Sequence, residues 1–339
     1  MSCNLIILIP NFLTQDIGDL HNMPCSHYFR KSITCLTGMF ALCVVFSSAM
    51  ANEPQKILFI GNSFTFGYGS ASIVYRADSI NDLNNKGGGG IPALFKSFAD
   101  QSNVDYSVYT QTQGGAALDF HLEQKLDLIG SESWDKVVMH GFSTLDSGKP
   151  GNPAMLIDTA GKMADFVHKL NPNVQVFLTS TWTRADLVYQ ADKHWSNTPI
   201  EKMALDVREG NNKAMAASPY IIGVNPVGEA WTRAMKMGIA DENPYNGIDF
   251  GKVSLWTWDH YHSSTYGDYL HALVVFGNLT GIDPRTLGEH ECSALELGIS
   301  KKLAKQLQQA AFEQLNSEQL ITAASSELLL KQRKRKYCE

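Results

Sequence analysis

From about residue 55 onward, short apolar runs alternate with longer stretches of helical periodicity, and few folds accommodate that alternation. The runs at 56–60 (KILFI), 106–111, 136–140 (KVVMH), 174–179 (VQVFLT) and 220–224 (YIIGV) are bounded by Gly, Asn or Pro. Runs of this length that lack inside–outside alternation suit strands buried on both faces. Helical spacing covers 91–101, 118–129, 155–170, 200–217 and 227–237, then 265–280 and 294–315. The pattern predicts a central parallel sheet of five strands with helices on its faces. No internal repeat and no linker divides it.

Two long connections interrupt the alternation. Residues 66–90 follow the first strand and end in four glycines, and residues 241–258 are rich in Gly, Asn and aromatics. Long loops inside a compact domain carry function more often than short ones do. In open α/β sheets, ligands sit at the carboxyl ends of the strands. A site is therefore expected where these loops gather.

Composition narrows the partners. Hydrophobic residues make up 44% of the 339, too many for a disordered chain. The net charge of −6 argues against a nucleic-acid partner, which demands a basic face. Residues 33–46 are uncharged and mostly apolar, preceded by Arg30 and Lys31 and followed by a small-x-small pattern at Ala49 and Ala51. This predicts an export signal over 1–51, cleaved after Ala51, and a periplasmic or secreted protein. The run is too short for a bilayer span, so no stable membrane anchor is expected after cleavage.

Residues 1–22 do not fit that leader, whose natural start is Met23, and read as an upstream start called in error. The leader's acids, Asp16 and Asp19, balance its bases, Arg30 and Lys31, so the remainder keeps the charge of −6. Four of six cysteines lie in the leader; Cys292 and Cys338 remain and are able to pair in an oxidising compartment. The domain is placed at 52–320 and a basic, solvated C-terminal tail at 321–339. Oligomeric state is not legible.

The first strand runs directly into Gly61-Asn62-Ser63-Phe64-Thr65, which puts a serine at the ligand edge of the sheet. Gly-Asn-Ser is also ordinary turn chemistry, and Thr65 stands where a nucleophile elbow would carry its second glycine. Downstream, Asp259 precedes His262 by three residues, just before a helix. On one tight loop the carboxylate can accept Nδ1–H and leave Nε2 as a base, which a serine hydroxyl needs to become a nucleophile. Two other readings remain: a capping Asp with structural histidines, or a metal site from Asp259, His260 and His262. No further ligand motif supports the metal, so none is expected, and no organic cofactor.

These segments together resemble the SGNH (GDSL-type) hydrolase superfamily, in the branch whose first block reads GlyAsnSerPheThr. Further matching segments are TQGGAAL (112–118), STWTRAD (180–186), VNPVGEAW (224–231) and HSSTYGDYLHA (262–272). The resemblance covers residues 56–281 and implies a three-layer, flavodoxin-like fold and a serine esterase. It assigns Ser63 as nucleophile, His262 as general base and then acid, and Asp259 as the residue that orients His262. It also implies an oxyanion hole built from the Ser63 N–H, the Gly115 N–H and a third-block side chain. That third block departs from the family's Asn and reads Met139-His140-Gly141-Phe142-Ser143, leaving His140 or Ser143 as donor.

Trp182 and Trp258 follow site-forming segments and are the candidates for contact with substrate. Arg184 and Asp186 either hold a substrate group or pair with each other. The expected function is hydrolysis of carboxylic esters, with O-acetyl groups on an extracellular carbohydrate as the substrate. A lipid or short-chain ester is the enzymatic alternative. A carbohydrate-binding protein on a hydrolase scaffold, without turnover, is the alternative of another class.

Overall fold

The computed structural model describes residues 53–332, the side chains of 330–332 excepted. The export signal predicted over 1–51, its cleavage point, and residues 333–339 of the basic tail lie outside the described residues. The described residues lie within one compact unit.

Six parallel strands form one sheet: β1 (Gln55–Gly61), β2 (Asn81–Asp82), β3 (Tyr106–Thr112), β4 (Lys136–Met139), β5 (Gln175–Ser180) and β6 (Ile221–Pro226). Their order is β2-β3-β1-β4-β5-β6. β1 pairs with β3 along its whole length, Gln55 opposite Tyr106 and Gly61 opposite Thr112, and with β4 from Ile57 opposite Lys136. Ile57, Leu58, Phe59 and Ile60 are all buried, as a central strand covered on both faces requires.

Five strands were expected and six are found. The extra one, Asn81–Asp82, lies inside the long 66–90 connection and pairs with Tyr109 and Thr110 at the edge of β3. Two polar residues without an apolar run carry no strand signal. They are extended because β3 offers free backbone groups there.

The helices are α1 (Ser63–Phe66), α2 (Gly90–Gln101), α3 (Leu118–Gln124), α4 (Leu126–Ile129), α5 (Ala154–Leu170), α6 (Ala185–Val188), α7 (Glu201–Ala217), α8 (Val227–Lys236), α9 (Thr265–Thr280), α10 (Cys292–Glu296), α11 (Lys301–Ser317) and α12 (Ser326–Gln332). α3, α5 and α7 pack along one face of the sheet; α2 and α9 pack on the other, with α11 against α9. This makes three layers. In α5, Leu156, Thr159, Ala160, Met163, Ala164 and Val167 are buried at helical spacing, which supplies its sheet-facing stripe. α9 is buried nearly all round and is covered by both α2 and α11.

Two predicted helices are broken. The stretch 118–129 divides at Lys125, whose φ of −132° leaves the helix. The stretch 294–315 divides at Gly298, at φ +72°, and α11 restarts where the Ser300 side chain accepts the Leu303 N–H. Within the tail predicted at 321–339, the Ala324 N–H donates to Asp283 and Ser326–Gln332 is helical. Cys292 is disulfide-bonded, and Cys338 lies outside the described residues.

Without its two-residue edge, the sheet is the doubly wound arrangement in which the chain first adds β3 on one side of β1, then β4, β5 and β6 on the other. The crevice between the carboxyl ends of β1 and β4 is the topological switch point, where such sheets hold their ligands. Ser63 follows β1 there and His140 follows β4.

Candidate active site

Gly61 ends β1 with no room for a side chain. A Cβ there would stand 2.1 Å from Thr65 Oγ1 and 2.6 Å from His140 Nε2. Asn62 then caps α1: its Oδ1 accepts the Phe64 N–H at 3.0 Å, and its Nδ2 donates to the Ala116 carbonyl at 2.7 Å. One buried amide thus ties the Ser63 turn to the segment carrying Gly115. α1 lasts one turn and closes at Gly67, in the left-handed region at φ +73°. Gly61→Ala is expected to destabilise the domain by about 3 kcal/mol, because overpacking adds to a broken buried hydrogen bond. Denaturant unfolding measures it, and an unchanged midpoint would refute the close approach.

The second half of the site is the loop between Trp256 and α9. Trp256 and Ser263 form an antiparallel bridge, the Thr257 N–H donates to the His262 carbonyl at 2.8 Å, and His260 turns the loop at φ +57°. Asp259 is enclosed by donors. Its Oδ1 accepts from Thr257 Oγ1 at 2.7 Å and from the Tyr261 and His262 backbone N–H groups at 2.9 Å each. Its Oδ2 accepts from His262 Nδ1 at 2.6 Å. Burial opposes ionisation, but these hydrogen bonds, His262's first, outweigh it and hold the carboxyl at about 2.

With Nδ1–H committed to Asp259, His262 Nε2 faces Ser63 Oγ at 2.9 Å and accepts its proton. The imidazole is held by rings: Tyr261 at 4.0 Å between centroids, Tyr68 at 4.7 Å and Phe64 at 5.6 Å. Ser63, His262 and Asp259 therefore form one hydrogen-bonded chain across 199 residues of sequence. Gly115, at φ +71°, is exposed with open space where its side chain would be. Among the described residues no protein acceptor takes the Ser63 or Gly115 N–H.

Beside Ser63 lies a cleft of about 410 Å³, lined by Asn62, Gly115, Ser143, Arg184, Lys193 and Tyr261 among others. Arg184 lies 3.6 Å above the Tyr261 ring and pairs bidentately with Asp186, at 3.0 and 2.6 Å. The pairing alternative for Arg184 and Asp186 is therefore realised, on the cleft wall.

Three predicted contacts are not made as expected. His140 does not present an N–H to the cleft: Nδ1 donates to the Gly141 carbonyl at 2.9 Å, which leaves Nε2 to accept from Thr65 Oγ1 at 2.8 Å. Burial brings its pKa down to about 4, so the ring stays neutral with no donor to spare. Ser143, the other third-block candidate, does line the cleft. Trp182 is fully buried beneath the site, stacked between Phe64 at 4.2 Å and Trp231 at 4.5 Å. It supports the Ser63 turn from below and offers no face to a substrate. Trp258 is exposed and stands outside the cleft lining.

The metal alternative is not assembled either. Both His262 nitrogens are engaged, His260 packs on Tyr245 at 4.3 Å, and among the described residues no three His, Cys, Asp or Glu side chains gather to hold an ion. Sequence reasoning passed over Asn62, Thr65 and Tyr68. The first has a signal, an Asn directly before a one-turn helix; the other two act through tertiary contact alone.

No protein-family model matches the sequence, and no curated protein matches it. Among solved structures, the chain is similar to a DUF4886 family protein from Bacteroides uniformis, with a TM-score of 0.55 and 16% identity over 80% of this chain and 98% of that one. Weaker likenesses are to a GDSL-like lipase from Parabacteroides merdae, with a TM-score of 0.49 and 17% identity over 68% of this chain and 96% of that one. Another is to a catalytic mutant of an acetylxylan esterase from Geobacillus stearothermophilus, with a TM-score of 0.44 and 14% identity over 65% and 92%. At such identities the first of these likenesses concerns the fold alone: an α/β architecture around a central parallel sheet.

Proposed function

We propose that this chain is an exported serine esterase of the SGNH type, cleaving O-acetyl groups from an extracellular carbohydrate. The observation that carries the reading is the Asp259–His262–Ser63 hydrogen-bonded chain at the switch point of the sheet. Ser63 Oγ attacks the ester carbonyl as His262 Nε2 takes its proton. The proton is then delivered to the departing alcohol. The Ser63 and Gly115 N–H groups receive the developing oxyanion, with the Ser143 hydroxyl the remaining third-block candidate. Water follows the same route to release the acid. The ionised Asp259 stabilises the imidazolium formed in each half.

A sugar ester is supported by a cleft wall that sets Ser143, Ser147 and Lys193, as polar partners for hydroxyl groups, beside the aromatic and apolar Phe142, Leu187 and Trp195. Export rests on the leader predicted over 1–51. A fluorophosphonate probe is expected to label the wild type and not Ser63→Ala, and acetylated polysaccharides are expected to release acetate. Equal labelling of both proteins would overturn the mechanism. Binding of the polysaccharide without turnover would support a binding protein on a hydrolase scaffold.

A further inference from the structure

Asp268 lies on α9 and is fully buried, with three serine hydroxyls as donors and no cation beside it among the described residues. Oδ1 accepts from Ser263, the residue after His262. Oδ2 accepts from Ser70 at 2.5 Å and from Ser72, in the segment that leaves α1 and Ser63. A Cβ added to Gly67, which closes α1, would stand 3.0 Å from the same oxygen. The carboxylate therefore touches both strands of chain that meet at the Ser63–His262 hydrogen bond.

We propose that Asp268 is a positioning residue for the Ser63–His262 pair, clamping the nucleophile's turn and the base's loop onto one rigid helix. The inference rests on the esterase reading above.

The helix is suited to act as that anchor. α9 is packed against α2, α8 and α11. Its first turn is capped by Ser264, and Gly267 lies so close to its neighbours that a Cβ would meet the Leu255 carbonyl at 2.4 Å and the Trp231 ring at 2.5 Å. An unpaired buried carboxylate is an expensive way to satisfy a core. Burial raises this one to about 6 while the serines pull it back down. An ionised carboxylate, however, accepts three hydroxyls at once, and a side-chain amide cannot, having one acceptor oxygen and two donors. The chemistry thus suits a group that must hold two separate segments in register against its own helix. Asp259 sets the tautomer and rotation of His262 from within its own loop. Asp268 sets the separation between that loop and the α1 turn.

In Asp268→Asn, kcat for p-nitrophenyl acetate is expected to fall at least tenfold with KM within twofold, because loss of alignment slows the chemical step. The downfield proton NMR signal of the His262 Nδ1–H is expected to shift or broaden. Ser263→Ala and Ser72→Ala, which each remove one side of the clamp, are expected to lower kcat severalfold. Adding Ser263→Ala to Asp268→Asn should cost little more. A folded Asp268→Asn that keeps wild-type kcat and an unchanged Nδ1 proton, even with a lower Tm, overturns the proposal. Should that variant not fold, wild-type kcat in both serine variants overturns it. If the wild type turns over no ester, the esterase reading fails, while the Nδ1 proton still decides whether Asp268 positions His262.

Discussion

His262→Ala is expected to lower kcat/KM for p-nitrophenyl acetate by roughly 10⁴- to 10⁶-fold. The imidazole is the group within reach of the Ser63 proton, at 2.9 Å, and a serine hydroxyl is a weak nucleophile while it keeps that proton. Ser63→Ala should cost about as much, and the double variant little more, because the two side chains act as one unit. Asp259→Asn is expected to cost roughly 10⁴-fold, through the wrong imidazole tautomer. Asn can place its NH₂ against Nδ1, which moves the ring proton to Nε2, where it faces Ser63 and blocks proton acceptance. Steady-state kinetics on the purified variants checks the series. A His262→Ala protein within tenfold of wild type would exclude His262 as the base.

Stability is expected to collapse as the pH falls from about 6.5 to 4. Burial lowers His121 and His140 to about 4 and His271 to about 3, so the folded protein keeps all three neutral where the unfolded chain protonates them. Each contributes stability that is complete above its unfolded pKa and is lost as pH falls toward the folded value. Asp268 works in the opposite sense: burial raises it to about 6, so the folded state takes up its proton first. Three protons gained by the unfolded chain against one gained by the native state leave a net of two on these groups. The stability should then fall by up to about 3 kcal/mol per pH unit across the window. Asp259, held at about 2, adds a further loss below pH 4. Denaturant midpoints measured between pH 7 and 4 test this, and a flat profile would contradict it.

The three layers and the Ser63–His262–Asp259 chain were legible because each has a local sequence mark. KILFI running into Gly-Asn-Ser marks a buried strand with a serine at its end, and the Asp–His spacing of three fits one tight loop closed on its own carboxylate. What stayed illegible depends on partners distant in sequence. A histidine after β4 can face the cleft or turn away from it. Thr65 decides, from 75 residues upstream, by offering its hydroxyl to Nε2. Trp182 follows a site-forming segment and yet lies under the site, since Phe64 and Trp231 close around it from two other elements. Asn81–Asp82 has no apolar residue to announce it. Asp268 sits one turn into a helix otherwise composed for burial, and only its three serine partners, from two loops, disclose its use.

The two-residue strand at the sheet edge bears on how this protein behaves at high concentration. β3 has seven residues and carries Tyr106, Val108 and Tyr109, a sequence that would readily template a second chain if left unpaired. Asn81–Asp82 occupies the positions opposite Tyr109 and Thr110, and it is too short and too polar to recruit a strand in turn. At the other edge, β6 joins β5 through a register shift at Val176/Phe177 and ends on Pro226, which has no N–H to donate. Both margins are thus poor surfaces for strand-on-strand growth. The short polar strand lies in the connection that leads the chain away from Ser63, and the proline stands where the chain leaves β6.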